Sequence, residues 1–307
     1  GPNADTPAHE RDATDLSGEA VINTPNGPGI EVSNSANVTI DGVAFDGNEY
    51  FIESTDWENL AVEDTIFTNG QSKTGGHIWL KSSSGEFRFE NNYVTGNNPS
   101  NGIRLKNGDS SRIGVSIKNN VWENNHAWAM NLNHAQGVVE NNTVRNTEQF
   151  DPESEYEDYK QWGVLLAASN NDVRVANNTF ESLTGPSVDL YGNFDGKIAI
   201  SQNTFANTTV DSGSVEISDT QLDNDGFQPT FGDISISRNM FVDNNVSLKN
   251  EVDADIDARY NYFSDAPTVE GNVIYDPVLT APVEDVADST SDIRQYGSYL
   301  EISSDDG

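Results

Sequence analysis

Cysteine is absent from the 307 residues, which excludes a disulfide framework and any thiolate metal site. Basic side chains are scarce: 16 Lys+Arg stand against 50 Asp+Glu, a formal net charge of -34. That balance argues against nucleic acid as a partner, because neutralising phosphates takes Lys and Arg. No hydrophobic run approaches the length of a membrane span, so membrane insertion is not expected. The acidic excess is spread along the whole chain. Self-repulsion of this size opposes compaction in dilute salt, and brine relieves it, since the Debye length shrinks to about 3 Å at 1 M salt. The composition therefore reads as that of a halophile, a haloarchaeon. An extracellular or cell-surface location is the expectation, with any export segment removed ahead of Gly1.

What is abundant is repetition. A pattern apolar-x-apolar-x-x-Asn-x-apolar recurs, with its second apolar residue at Ile40, Val62, Phe89, Ile117, Val139, Val175, Ile200, Ile236 and Ala258. The spacings between these anchors range from 22 to 36 residues, as expected of one minimal coil plus insertions. Five residues after each anchor comes a large apolar side chain: Phe45, Phe67, Val94, Trp122, Val144, Phe180, Phe205, Phe241 and Phe263. Three residues after the anchor, Asn stands at 92, 120, 142, 178, 203, 239 and 261. Asn tolerates the left-handed backbone of a tight corner, and its amide can bond the equivalent Asn one coil away.

Between anchors lies a second short strand with two apolar residues flanking a variable one: Ile30 and Val32, Ile78 and Leu80, Ile103 and Leu105, Met130 and Leu132, Val164 and Leu166, Val188 and Leu190, Val215 and Ile217. Alternate side chains would face inside and outside. A single coil cannot bury its apolar face alone, so the stack is the folding unit. The chain is expected to be all-β: one right-handed parallel β-helix over 21–283, a polar N-terminal leader over 1–20, and a C-terminal cap or linking tail over 284–307 with Tyr296 to Ile302 as a last strand.

This repeat resembles those of the pectate-lyase-like superfamily, and especially the NosD-like periplasmic copper-processing and carbohydrate-binding proteins. The stretch ARYNYFSDAPTVEGNVIYDPVLTAP from Ala258 to Pro282 resembles the closing coil of secreted archaeal and bacterial β-helix proteins. The resemblance spans Ile30 to Pro282. It implies the fold and, more loosely, a carbohydrate partner, because one fold hosts lyases, hydrolases, epimerases, tailspikes and non-enzymatic surface proteins.

The outward positions of the second strand carry the candidate chemistry. One row reads Glu31, Trp79, Arg104, Asn131, Leu165, Asp189, Glu216, and the next Ser33, Lys81, Lys106, Asn133, Ala167, Tyr191, Ser218. With His77 expected on the same face, His77, Trp79, Lys81, Arg104 and Lys106 should cluster on neighbouring rungs. Cations gathered in so acidic a chain suit a subsite for uronate or sulfate, with Trp79 stacking on a sugar ring and Arg104 gripping a carboxylate. The competing reading is that these cations simply pair with nearby acids at little energetic gain. Some β-helix lyases use a Lys and an Arg on neighbouring coils. That resemblance implies a β-elimination with Lys81 or Lys106 as base and Arg104 as carboxylate partner. Asp189 and Glu216, on adjacent rungs, form a carboxylate pair suited to a hydrolase, with Asn131 and Tyr191 as further sugar contacts.

Two further stretches stand out. His126 and His134 lie in NNHAWAMNLNH (Asn124 to His134), and an insertion of 14 residues (36 − 22) follows within Arg145 to Trp162, where Tyr159 and Trp162 would contact sugar. Asp223 and Asp225 lie in a second insertion with oxygen ligands at spacings that suit Ca²⁺, although Asp-Asn-Asp-Gly is also an ordinary turn. Two functions remain open at this point. One is a protein that binds, and cleaves in a lyase-like manner, an anionic polysaccharide. The other is a non-catalytic structural subunit of a surface layer, sheath, filament or viral fibre, whose partners would be further copies of itself.

Overall fold

The computed structural model describes residues 6–71, 76–81, 85–97, 101–106, 112–125, 128–146, 162–167, 172–191, 196–208, 212–218 and 233–282. The chain winds as a parallel β-solenoid in which each coil has three strands. The first carries the paired apolar residues of the variable-centre motif, the second carries the anchor, and the short third carries the large apolar residue. Over Pro28–Asp41 and Tyr50–Glu63 the first two strands run on as one. Later coils split them, as in Gly76–Lys81 followed by Gly85–Glu90.

The anchor register is that of the repeat. Ile40 pairs with Val62, Val62 with Phe89, Phe89 with Ile117, Ile117 with Val139, and so on through Val175, Ile200 and Ile236. The third strands follow suit from Phe45 with Phe67 to Phe241 with Phe263. The rings stack along the interior, with Phe45 and Phe67 centroids 5.1 Å apart and Phe180 and Phe205 5.3 Å apart. Apolar burial along this continuous column is the main stabilising term, because each coil's inner face is covered only by its neighbours.

The Asn ladder is continuous and buried. Asn178 shows its geometry. Its Nδ2 donates to Asn203 Oδ1 at 3.0 Å and to the Val139 carbonyl at 2.9 Å, while its Oδ1 accepts from the backbone N–H and Nδ2 of Asn142. The same pattern runs from Asn92 to Asn261. One part of the sequence reading needs correction. The left-handed residue is not the ladder Asn but the one before it: Asn91, Asn119, Asn141, Asn177, Gln202, Arg238 and Tyr260 all have φ between 55° and 65°. The ladder amide must point inward along the stack, so the sharp turn falls on its neighbour. Asn97 and Asn125 begin a second ladder at the corner after the third strand, joined at 2.8 Å.

Two coils escaped the apolar-pair pattern. Ile52 and Ser54 form the rung between Ile30–Val32 and Ile78–Leu80, and Leu248 and Asn250 form the one after Val215–Ile217. Ser54 and Asn250 replace the second apolar residue and are nevertheless buried. The Asn250 amide is satisfied by the Ala254 and Asn272 carbonyls. Residues 6–20 lie on the outer side of the third strands, where Ala8 packs on Ala44 and Ile66. There Arg11 binds Glu19 at 2.9 Å and donates to the Asp64 carbonyl. The solenoid continues past Phe263 to Val273–Ile274, which pairs with Ile256–Asp257. Tyr296 to Ile302 lies outside the described residues.

Candidate functional site

The outward row of the first strands reads Glu31, Glu53, Trp79, Arg104, Asn131, Leu165, Asp189, Glu216, Lys249 and Glu270, each paired with the next. The parallel row beside it includes Thr55, Lys81, Lys106, Asn133, Ala167, Tyr191 and Ser218. Rungs are about 4.8 Å apart, so Arg104 and Asp189, three rungs apart, stand roughly 14 Å from one another. The face changes character along that length, from cationic through amide and apolar to acidic.

Trp79, Lys81, Arg104 and Lys106 do lie together on adjacent rungs. His77 does not join them: it is 1% exposed and packs against Phe51, ring to ring at 5.2 Å. Strict alternation would turn it outward, but here two consecutive residues face the core. The same holds one coil on, where a Cβ on Gly102 would strike the Trp122 ring. In both coils the residue ahead of the first apolar one lies toward the aromatic column.

The two lysines differ. Lys81 Nζ lies 2.8 Å from Glu53 Oε1 and 3.5 Å from the centre of the Trp79 ring. Both are partners of an ammonium, so the pairing alternative holds for this residue. Trp79 in turn tilts against Tyr50 at 6.0 Å. Arg104 and Lys106 form no ion pair with a described residue. Among the described residues every other lysine and arginine except Arg238 does. Several polar atoms along this stretch are shielded from solvent and meet no protein partner: Trp79 Nε1, Arg104 Nε, and the Oδ1 atoms of Asn131 and Asn133. Such atoms are uncommon in folded proteins, and four of them fall on three consecutive rungs.

Next to the amides sits an apolar patch that sequence reasoning half found. Trp162 opens a first strand instead of ending a loop, and it pairs with Trp128, ring centroids 4.1 Å apart and nearly perpendicular. Leu165 and Ala167 complete the patch. Alternation counted back from the inward Met130 and Val164 would have turned Trp128 and Trp162 inward, so their place beside the outward Leu165 and Ala167 was not legible from the period-two pattern. His134 follows the first strand Trp128–Asn133 and takes a left-handed backbone, φ 53°.

At the far end Asp189 is 7% exposed and accepts a hydrogen bond from Ser218 Oγ at 2.7 Å. Burial is the main cause that pushes its carboxyl up to about 7. Burial raises Glu216 as well, against the opposing pull of Lys249, whose Nζ lies 3.3 Å from it and 2.7 Å from Glu251. Tyr191 is exposed beside them. His126, Tyr159, Asp223 and Asp225 lie outside the described residues. Among the described residues no group of three or more His, Asp or Glu is gathered to hold a metal, and no helix is long and apolar enough to cross a membrane.

Fold and face together define a parallel β-solenoid with a uniform interior and a chemically graded outer strip. The chain belongs to the right handed beta helix region family, whose model matches residues 19–114 and 109–224, together more than half of the chain. This sets the hand of the coil, in keeping with the strong preference for right-handed parallel crossovers. No curated protein and no solved structure matches the chain.

Proposed function

We propose that the outward face of the first strands, from Trp79 to Asp189, binds an extracellular anionic polysaccharide in a halophile. The observation that carries the reading is that Arg104 and Lys106 pair with no described acid, where pairing is the rule for the other described cations. A cation left unpaired beside desolvated amide and indole atoms is poised for an anionic, hydroxyl-rich ligand. Trp79 supplies an aromatic edge, and the strip is long enough for about three sugar rings at roughly 5 Å per rung. The resemblance of the repeat to pectate-lyase-like and NosD-like proteins supports the same class of partner.

Cleavage, if the face performs it, falls to Arg104 and Lys106. Arg104 would hold the uronate carboxylate while Lys106, as the neutral amine, takes the C5 proton; the freed electron pair forms the C4=C5 double bond as the bond to the glycosidic oxygen breaks, and that oxygen takes a proton from water. Lys81 is engaged by Glu53 and serves as a positioning residue for Trp79. The test is calorimetry of the purified chain with polygalacturonate, alginate and sulfated glycans in high salt, alongside ultraviolet absorbance of an unsaturated uronate product. Binding that vanishes in Arg104→Ala/Lys106→Ala, with product from the wild type alone, supports a lyase. Binding without product leaves a carbohydrate-binding protein. Absence of binding to every anionic glycan, together with self-assembly of the chain, overturns the reading in favour of the structural subunit.

A further inference from the structure

The acidic end of the strip holds a group that the binding reading does not use. Asp189 is the most enclosed charged side chain on this face. On one side its rung neighbour is Leu165, part of an apolar patch with Trp128, Trp162 and Ala167. On the other it is Glu216. Its hydrogen bond comes from a neutral hydroxyl, Ser218. The one cation nearby, Lys249, is held two rungs away by Glu216 and Glu251. Glu270 follows Lys249 in the row. Among the described residues, then, the charged groups nearest Asp189 are Glu216 and Glu251 against Lys249 alone. A carboxylate placed there would meet an apolar neighbour on one side and excess negative charge on the other.

We propose that Asp189 is a proton-operated switch in the outer face, closing the ladder from Leu165 to Glu216 when protonated and loosening it when ionised. The neutral acid fits between Leu165 and Glu216 at little cost. The ionised form must be hydrated or must repel Glu216, and both disfavour the present packing of strands Trp162–Ala167, Val188–Tyr191 and Val215–Ser218. Because the folded-state carboxyl keeps its proton up to about 7, against 3.8 for the free group, the folded chain binds the extra proton between those values. Stability from this group is therefore complete below the lower value and lost as pH rises through the upper one. The consequence for the glycan, which rests on the proposed function, is weaker holding of an acidic chain above neutrality, since a second negative charge appears on the face that receives it.

The test is a series of thermal midpoints from about pH 5 to about pH 8, spanning this window, in molar salt so that diffuse repulsion among the other acids is screened. Wild type should lose several degrees across the series, and Asp189→Asn should stay level. Glu216→Gln removes a neighbouring negative charge that helps Asp189 keep its proton, so the fall should end at a lower pH than in wild type and be smaller in total. Parallel curves for wild type and Asp189→Asn overturn the switch. Should Asp189→Asn fail to fold, the Glu216→Gln displacement decides, and a curve superimposing on wild type overturns it. Polygalacturonate binding measured at both ends separates the two ideas. Binding that is equal at both ends removes the consequence and leaves the proposed function standing, whereas no binding at either end removes the proposed function without touching the midpoints.

Discussion

The inside and the outside of this solenoid obey different rules. Inward positions repeat: Asn stands on Asn and Phe on Phe from coil to coil, each bonded or stacked to its copy. Outward positions of the first strand change at every rung, from Glu53 through Trp79, Arg104 and Asn131 to Leu165 and Asp189. The interior must satisfy the same geometry in every coil, so it selects the same residues. Nothing in the winding of the chain demands a particular residue on the outer face. Variation there is free to encode chemistry, and the non-repeating strip is where a function has room to be written.

Mutations on the two sides should separate accordingly. Phe180→Ala, in the middle of a stacked run between Val144 and Phe205, should have the largest effect, about 3–5 kcal/mol through the cavity it leaves. A wild-type denaturation midpoint for this variant would place the aromatic column elsewhere. Asn178→Ala should follow at about 1–3 kcal/mol, because the Val139 carbonyl and the amide of Asn142 lose buried partners. Gln at this position, longer by one methylene, should not restore it. Lys81→Ala should cost no more than about 1 kcal/mol, its ion pair with Glu53 being partly solvated. Fluorescence of the Trp79 environment would register the loss of the overlying ammonium. Arg104→Ala/Lys106→Ala should move stability least, within about 0.5 kcal/mol, while removing glycan binding. A large loss of stability in this double variant would break the contrast.

Salt probes the whole surface at once. With a net charge of -34, the melting midpoint should rise between about 0.1 M and about 3 M KCl as repulsion is screened. An unchanged or falling midpoint would show that the ion pairs between neighbouring rungs, such as Arg145 with Glu123 at 3.2 Å, already offset the repulsion.

The period, the anchor register and both interior ladders were readable from the chain, because a coil that must stack on its copy repeats its residues at fixed offsets. Where a buried position was polar, as at Ser54 and Asn250, the repeat went unseen, since apolar pairing was the signal used. That gap had a functional consequence: the missed Ile52–Ser54 rung is the one that brings Glu53 to Lys81. His77 illustrates the same limit. Period-two alternation would turn it outward beside Trp79, yet it packs inward on Phe51.

Residue order alone therefore determined that this is a parallel β-helix, which side chains stack inside it, and which rows point out. Only the tertiary structure decided which outward cations are already neutralised, where Trp128 meets Trp162, and how deeply Asp189 is enclosed. Stacking is a one-dimensional constraint and leaves its mark on the sequence. Pairing and burial across the outer face depend on which rungs become neighbours after insertions of unequal length are looped out. Those distances exist only once the chain has wound.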